Sequence, residues 1–148
     1  MIHTKTHTEI SKLRLSADLV SRTLAEVAKH LAPGVTTGEL DVIAEDFIRS
    51  AGAEPAFKGY RAGSNVYPAT LCVSIGDEIV HGIPGDRVIQ DGELVSVDCG
   101  VVLDGYFGDS AFTFGAGELS EEQIRLATTT YESLYLGIDA AVTGNRVG

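Results

Sequence analysis

The sequence predicts an α+β domain in which helices cover an antiparallel β-sheet. Two helical apolar stripes occupy the first third of the chain, and a period-two pattern typical of strands begins near residue 70. A further helical stripe follows the strands. Because the helices and strands fall in separate runs and do not alternate, an antiparallel sheet is favoured over a parallel one. The 148 residues are enough for one domain with a hydrophobic core.

The composition narrows the class of protein. Apolar residues make up 44% and charged residues 22% of the chain, as in ordinary globular proteins. The net charge of −10 argues against a nucleic-acid partner, because such binding depends on clustered Lys and Arg. Residues 1–12 lack the apolar core of a secretory signal, and no run is long enough for a membrane span. With Cys72 and Cys99 expected as reduced, buried thiols, these features predict a cytoplasmic protein.

The first two helices are indicated by apolar residues at three- and four-residue spacing. One stripe runs over residues 10–31, and Pro33-Gly34 ends that helix. The second helix begins with a capping box, in which Thr36 and Glu39 satisfy each other's free backbone donors, and ends near Gly52. The stripe that it is expected to bury is Leu40, Ile43, Ala44, Phe47 and Ile48.

The strands follow a loop over residues 53–68 that is rich in Gly, Pro and aromatic residues. Alternation over residues 71–75 predicts a half-buried strand. Gly76-Asp77 is a turn signal, and Ile79-Val80 is predicted to resume an extended run.

Two longer strands and a helix complete the predicted order. Strands over residues 94–103 and 106–114 are joined by Asp104-Gly105, a strong signal for a hairpin. A capping box at Ser120 and Gln123 begins the last helix. Its stripe is Ile124, Ala127, Tyr131, Leu134 and Ile138. The hairpin residues expected to pack against helices are Val97, Cys99, Val101, Tyr106 and Phe112.

A two-residue hairpin turn determines which residues of the two strands face each other. It places Gly100 opposite Asp109 and Asp98 opposite Ala111. Asp98 and Asp109 are then diagonal neighbours on one face, about 7–8 Å apart at the backbone. Two carboxylates held this close repel each other unless a cation joins them, which fits a pair of divalent metal ions. The residues alone equally allow two solvent-facing aspartates near a turn.

His81 lies in an irregular segment, Val80-His81-Gly82-Ile83-Pro84-Gly85, that follows the first strand. A single histidine in such a segment is more often a hydrogen-bonded structural residue than a ligand. Its residue type alone assigns it no chemistry.

These three features, in this order and spacing, resemble the type I methionine aminopeptidases. The segment from Cys72 through His81 to Gly85 is similar to the family's strand and histidine loop. Val95-Ser96-Val97-Asp98 and Asp104-Gly105-Tyr106-Phe107-Gly108-Asp109 are similar to the segments that bear its first two metal-ligand aspartates. The resemblance covers essentially the whole chain and implies the pita-bread fold of peptidase family M24.

The resemblance also implies roles for individual residues. Asp98 would bind one of two divalent metal ions (Co, Mn, Fe or Zn), and Asp109 would bridge both. His81 would bind no metal; it would hydrogen-bond near the scissile amide and stabilise the transition state. The leading methionine of a peptide or nascent protein would enter an apolar pocket. The residues that would line this pocket are Phe57, Tyr60, Tyr67 and Cys72.

The same resemblance implies that residues 1–148 are only the N-terminal half of a pseudo-symmetric catalytic domain. The family's other ligands, a histidine and two glutamates, lie in a second half, and no histidine follows His81. Activity of the chain alone is therefore in doubt. A truncated fragment, a split enzyme that needs a complementary C-terminal half, and a self-associating half all stay open. Two alternative functions are an Xaa-Pro aminopeptidase of the same fold and a non-catalytic pita-bread fragment that acts as a binding module.

Overall fold

The structure is a computed structural model that describes residues 3–146. The predicted α+β class, with helices against an antiparallel sheet, is confirmed, and three short strands lie in the segment predicted as a loop. The elements are α1 (His7–His30), α2 (Thr37–Ser50), β1 (Glu54–Pro55), β2 (Arg61–Ala62), β3 (Asn65–Val66), β4 (Leu71–Ile75), β5 (Glu93–Leu103), β6 (Tyr106–Ala116) and α3 (Glu121–Ala140). None of the helices in this part of the chain is long and apolar enough to cross a membrane.

Each of these three helices begins with a complete capping box. The predicted boxes at Thr36 and Ser120 are present, and a third one joins Thr6 to Glu9 ahead of α1. In the second box the Thr36 amide donates to the Glu39 carboxylate over 2.7 Å. An N-cap side chain of this kind stabilises a helix by about 1 kcal/mol, so the helix starts follow from local sequence.

β5 is the central strand of the main sheet. It pairs along its whole length with β6, and on its other side with β4 and then with β1, in each case antiparallel. β2 and β3 form a separate hairpin. Asp104 and Gly105 both have positive φ, 50° and 79°, as a primed two-residue turn requires. The predicted register is confirmed, with Gly100 opposite Asp109 and Asp98 opposite Ala111.

One face of the sheet packs against α1 and α2 and forms the core. This face of β5 is fully buried at Val95, Val97, Cys99 and Val101. The backbone of α1 approaches β6 so closely that a Cβ at Gly108 would lie 2.6 Å from Ser16. The Ser16 hydroxyl also donates to the Tyr106 carbonyl over 2.9 Å, which joins α1 to the hairpin. Both Cys72 and Cys99 are free, buried thiols, as predicted.

The prediction of β4 as a half-buried strand is wrong. All five of its residues are buried, including Cys72 and Ser74 on the face away from the helices. The reason is that the segment over residues 80–85, called the histidine loop because it carries His81, folds back over the strand. The Gly82 amide donates to the Ser74 hydroxyl over 3.1 Å, and the Gly82 carbonyl accepts from the Val73 amide over 2.9 Å.

The prediction of an extended run at Ile79-Val80 is also wrong. These side chains are exposed, Ile79 at 90%, and lie outside the strands of the sheet. The Glu78 carboxylate accepts from the Ile75 amide over 2.8 Å, and Gly76 has a φ of 66°. Together these contacts form a tight turn at the end of β4, so the chain leaves the sheet there.

Two apolar predictions gave the wrong degree of burial. Phe112 lies on the helix side of the hairpin, as expected, but is 50% exposed on the outer strand β6. None of the residues of α3 is buried. Its apolar side chains are exposed at Ile124, Leu126, Tyr131, Leu134, Tyr135, Leu136 and Ile138. An apolar stripe identifies the inner face of a helix, but it does not supply the surface that covers it.

Candidate active site

The aspartate pair lies on the sheet face opposite the helices. Asp98 on β5 and Asp109 on β6 are diagonal neighbours, because Gly100 is the residue directly opposite Asp109. Burial raises the pKa of Asp98, and the charge and hydrogen bonding of the Asp109 carboxylate raise it further. The pKa of Asp98 is lowered in turn by His81 and by the Cys99 amide. The two acids therefore share one small volume, where the Asp109 carboxylate disfavours ionisation of Asp98.

The chemistry of this pair fits part of a divalent cation site. Carboxylate oxygens bind divalent metals well, and a cation would remove the repulsion that raises the pKa of Asp98. Among residues 3–146 no group of three or more His, Cys, Asp and Glu side chains could hold a metal ion. A catalytic metal commonly has about three protein ligands, so Asp98 and Asp109 would be part of a larger set.

Phe57 lies against the sheet beside the aspartates. A Cβ at Gly100 would be 2.5 Å from the Phe57 ring, so only glycine allows this close approach. The Ala56 amide donates to the Gly100 carbonyl over 2.9 Å and fixes the segment ahead of the ring. Gly100, which sits directly opposite Asp109, thus makes room for an aromatic wall next to the carboxylates.

All seven predicted site residues line one open cavity of about 1020 Å³. They are Phe57, Tyr60, Tyr67, Cys72, His81, Asp98 and Asp109. Sequence reasoning missed the contribution of the β2–β3 hairpin, whose residues Ser64, Asn65 and Val66 also line the cavity. The available signal was the length of the loop around Gly63, which leaves room for a hairpin. The roles of the seven residues stay predictions, although their proximity is a structural finding.

The Tyr67 hydroxyl is engaged with the backbone. It lies 2.9 Å from the Leu71 carbonyl and 3.2 Å from the Gly82 carbonyl, and it can donate to either. Burial, followed by the neighbouring Cys72, raises the pKa of Tyr67. Tyr67 thus links β4 to the histidine loop, whereas Tyr60 lies at the rim of the cavity with 66% of its surface exposed.

Cys72 contributes a neutral thiol to the lining of the cavity. Burial raises the pKa of Cys72, and so do Asp98 and Asp109, while a hydrogen bond with Tyr67 lowers it. A thiol acts as a nucleophile or a metal ligand only as the thiolate. The position therefore suits contact with an apolar group better than covalent chemistry.

His81 has a φ of 61°, in the left-handed region that non-glycine residues rarely adopt. Its neighbour Gly82 is pressed against β4, where a Cβ would lie 2.1 Å from the Val73 carbonyl oxygen. Further along, Gly85 exchanges hydrogen bonds with Thr37 at the start of α2. The surrounding contacts thus fix a strained backbone conformation at His81, a pattern that clusters at functional sites.

The family assignment follows from comparison with known proteins. The sequence model of metallopeptidase family M24 matches residues 11–148. The chain belongs to this family. It is 47% identical over 148 residues to a methionine aminopeptidase from Clostridium acetobutylicum, covering 99% of this chain and 58% of that protein. The crystal structure of a methionine aminopeptidase from Thermotoga maritima has a TM-score of 0.88 and 36% identity, covering 96% of this chain and 55% of that one.

A solved structure with a different named activity also shares the fold of this chain. The prolidase from Pyrococcus horikoshii OT3 has a TM-score of 0.80 at 21% identity, covering 93% of this chain and 37% of that one. This similarity shows the fold alone. The predicted pita-bread class is confirmed by these neighbours. The chain spans a little over half the length of the curated relatives that it matches.

Proposed function

We propose that this chain supplies the N-terminal half of a metal-dependent aminopeptidase that removes the leading methionine from peptides and nascent proteins. The observation that carries the proposal is the cavity in which the diagonal carboxylates of Asp98 and Asp109 meet His81 and an aromatic wall. The similarity to relatives named methionine aminopeptidase supports the choice of substrate. The two free, buried thiols are consistent with a reducing compartment, so we place the protein in the cytoplasm.

Asp98 and Asp109 are the residues that would hold two divalent metal ions, of cobalt, manganese, iron or zinc. When bound, such ions lower the pKa of a water molecule and polarise the substrate carbonyl. Asp98 is positioned for this role because it is half-buried, with its pKa raised by burial and by Asp109. Asp98 would be held in its ionised form by a cation bound beside it, because the positive charge would offset the repulsion from Asp109.

His81 would donate a hydrogen bond near the scissile amide. Its left-handed backbone presents the ring to the cavity, and the docking of Gly82 against β4 keeps the backbone in place. A group that is already oriented loses little entropy when the transition state forms. His81 therefore acts through position, and metal binding is left to the aspartates.

The leading methionine would be bound by Phe57, Tyr60, Tyr67 and Cys72. Aromatic rings suit a methionine side chain, since its thioether sulfur makes favourable contacts with ring edges. The neutral thiol of Cys72 adds no charge to this wall. Tyr67 has its hydroxyl turned to backbone carbonyls, which leaves the ring for the substrate.

A complementary C-terminal half would provide the remaining metal ligands and cover the exposed apolar surface. The stripe of α3 supports this, because Tyr131 and Leu134 are both more than half exposed in the described part of the chain. Phe107, at 64% exposure, adds apolar surface on the site side of the hairpin. Self-association of two copies is the competing way to cover these surfaces.

The test is release of methionine by the chain after it is assembled with the remaining C-terminal segment of a relative. We expect cleavage of a Met-Ala peptide in the presence of cobalt or manganese, and none of an Ala-Pro peptide. Asp98→Asn should lower kcat/KM at least about 100-fold. Asp104→Asn is the matched control, since it makes the same change in the same hairpin at an exposed turn position that Asn also tolerates.

Three outcomes would count against the proposal. A correctly assembled but inactive protein would rule out the enzymatic function and leave the binding module. Preference for Ala-Pro would favour the Xaa-Pro aminopeptidase. An equal loss of kcat/KM in Asp98→Asn and in the control Asp104→Asn would contradict the assignment of Asp98 as a metal ligand.

A further inference from the structure

Asp41 makes a contact that the proposed chemistry does not use. It lies on α2 next to the buried Leu40, and its Oδ1 accepts from the amides of Thr70 over 2.9 Å and Leu71 over 2.7 Å. Both of these residues are fully buried. A buried amide needs an acceptor. Asp41 provides one oxygen for two of them where β4 begins.

The carboxylate of Asp41 is half-buried in this position. Burial raises the pKa of Asp41, although the amides of Leu71 and Thr70 and the charge of Lys58 lower it. Asp41 is absent from the lining of the cavity that holds Asp98 and His81. Besides burial, its charge raises the pKa of Tyr67 and of Cys72, but any structural effect on that cavity must pass through the residues that Asp41 holds.

Hydrogen bonds and the shared hydroxyl of Tyr67 connect Asp41 to the neighbour of His81. Asp41 accepts from the Leu71 amide, and the Tyr67 hydroxyl lies within hydrogen-bond distance of both the Leu71 and the Gly82 carbonyls, to either of which it can donate. The Gly82 carbonyl accepts from the Val73 amide over 2.9 Å. The start of β4, Tyr67 and the histidine loop are thus joined as one unit.

Helix α2, which carries Asp41, also contacts the other end of this segment at Gly85. Thr37 lies one turn before Asp41 on α2, and residues four apart share a helix face. Its hydroxyl exchanges hydrogen bonds with Gly85, accepting from the amide over 2.9 Å and donating to the carbonyl over 3.1 Å. The Gly38 amide also donates to the Gly85 carbonyl, over 2.9 Å. α2 therefore clamps the segment from Thr70 to Gly85 at both ends.

We propose that Asp41 is a positioning residue. It fixes the position of one side of the cavity, formed by Tyr67, Cys72 and His81, relative to Asp98 and Asp109 on the other side. The two sides of the cavity lie on different elements. β5 and β6 carry the aspartates, whereas the Asp41 carboxylate accepts from Thr70 and Leu71, which lie outside both strands. Removal of Asp41 should then displace one side of the cavity and leave the other in place. The kinetic consequence rests on the proposed function, but the structural part does not.

The structural test is amide hydrogen exchange, followed by NMR on the full chain. In Asp41→Ala we expect exchange at Thr70 and Leu71 to rise at least about 10-fold, with shifted amide resonances for His81 and Gly82. Asp41→Asn keeps an oxygen acceptor of the same size and should partly restore protection, which also covers the case in which the alanine variant does not fold. Asp46→Asn is the control, because Asp46 is exposed on the same helix. Unchanged exchange at Thr70 and Leu71, or equal effects from the control, would overturn the inference.

The kinetic test uses the chain assembled with a C-terminal half, well below its melting temperature. Asp41→Ala should lower kcat for a Met-Ala peptide about 10-fold or more, since small misplacements of catalytic groups have effects of this size. Asp41→Asn, which keeps the acceptor oxygen, should lower kcat by less. The affinity for manganese should stay within about 3-fold, because Asp98 and Asp109 are not displaced. Equal losses of kcat and manganese affinity would indicate general destabilisation and overturn the positioning role. If the unsubstituted assembly is inactive, the proposed function fails, and the exchange data still decide the structural part.

Discussion

The two faces of β5 have opposite character. On one face Val95, Val97, Cys99 and Val101 are fully buried beneath the helices. On the other face Ser96, Asp98 and Val102 are only partly covered, although Gly100 among them is buried beneath the Phe57 ring. One strand can therefore provide both the core and the site, since successive residues point to opposite faces. The covered face supplies the packing that keeps two like charges together on the open one.

The largest expected effect is on the covered face. Ile75→Ala should lower the free energy of unfolding by about 2–5 kcal/mol, because a fully buried side chain leaves a cavity. Phe107→Ala, on the open face with 64% exposure, should change it by less than about 0.5 kcal/mol. Urea denaturation of both variants measures this. Equal losses would show that the open face is also packed, and the comparison would fail.

The two cysteines lie on opposite faces of the sheet and should therefore differ in reactivity. Cys72 lies on the site side of β4, and Cys99 lies on the helix side of β5, where burial raises its pKa to about 12. Labelling needs access and a thiolate, so Cys72 should react at least about 10-fold faster than Cys99 in the folded chain. Mass spectrometry of an iodoacetamide time course identifies the labelled residue. Faster reaction at Cys99 would mean that the helix face opens first.

A smaller effect is expected from charge on the open face. Asp109→Asn removes a neighbouring carboxylate, so the pKa of Asp98 should fall toward its ordinary value. A raised pKa in the folded state means that ionised Asp98 opposes folding at neutral pH, and that this penalty vanishes as the pH falls below about 4. In the metal-free chain the variant should therefore gain less than about 1 kcal/mol at pH 7, and nothing at low pH.

NMR titration of the Asp98 carboxyl carbon measures this pKa directly. Asp104→Asn, at the exposed turn of the same hairpin, serves as the control and should leave the pKa of Asp98 unchanged. If the pKa of Asp98 were the same in Asp109→Asn and in the unsubstituted chain, the two carboxylates would not share one volume.

Sequence reasoning succeeded where the determinants are local. A two-residue turn at Asp104-Gly105 fixes the register of both strands, so the shared face of Asp98 and Asp109 follows from counting. Helix starts follow from capping boxes, whose partners are three residues apart. The seven site residues could be named because motif spacing carried the resemblance, and the structure brings them to one cavity.

The remainder depends on contacts between distant segments. The burial of Cys72 and Ser74 comes from the return of the histidine loop, which no alternation pattern encodes. The exposure of α3 depends on what covers it, and a stripe does not contain that information. Asp41 shares a helix face with Ala44 and Ile48, so its position was a signal, but its partners at Thr70 and Leu71 lie about 30 residues away.

We propose that Asp98 and Asp109 converge on one cation-binding volume. Paramagnetic broadening of amide signals by substoichiometric manganese tests it most directly, because it detects weak binding by the chain alone and locates it. We predict broadening centred on Asp98, Gly100, Asp109 and Ala111, and its loss when both aspartates are replaced by Asn. Broadening centred elsewhere, such as at Glu121 and Glu122 in the first turn of α3, or broadening that survives the double substitution, would show that Asp98 and Asp109 do not form a cation site.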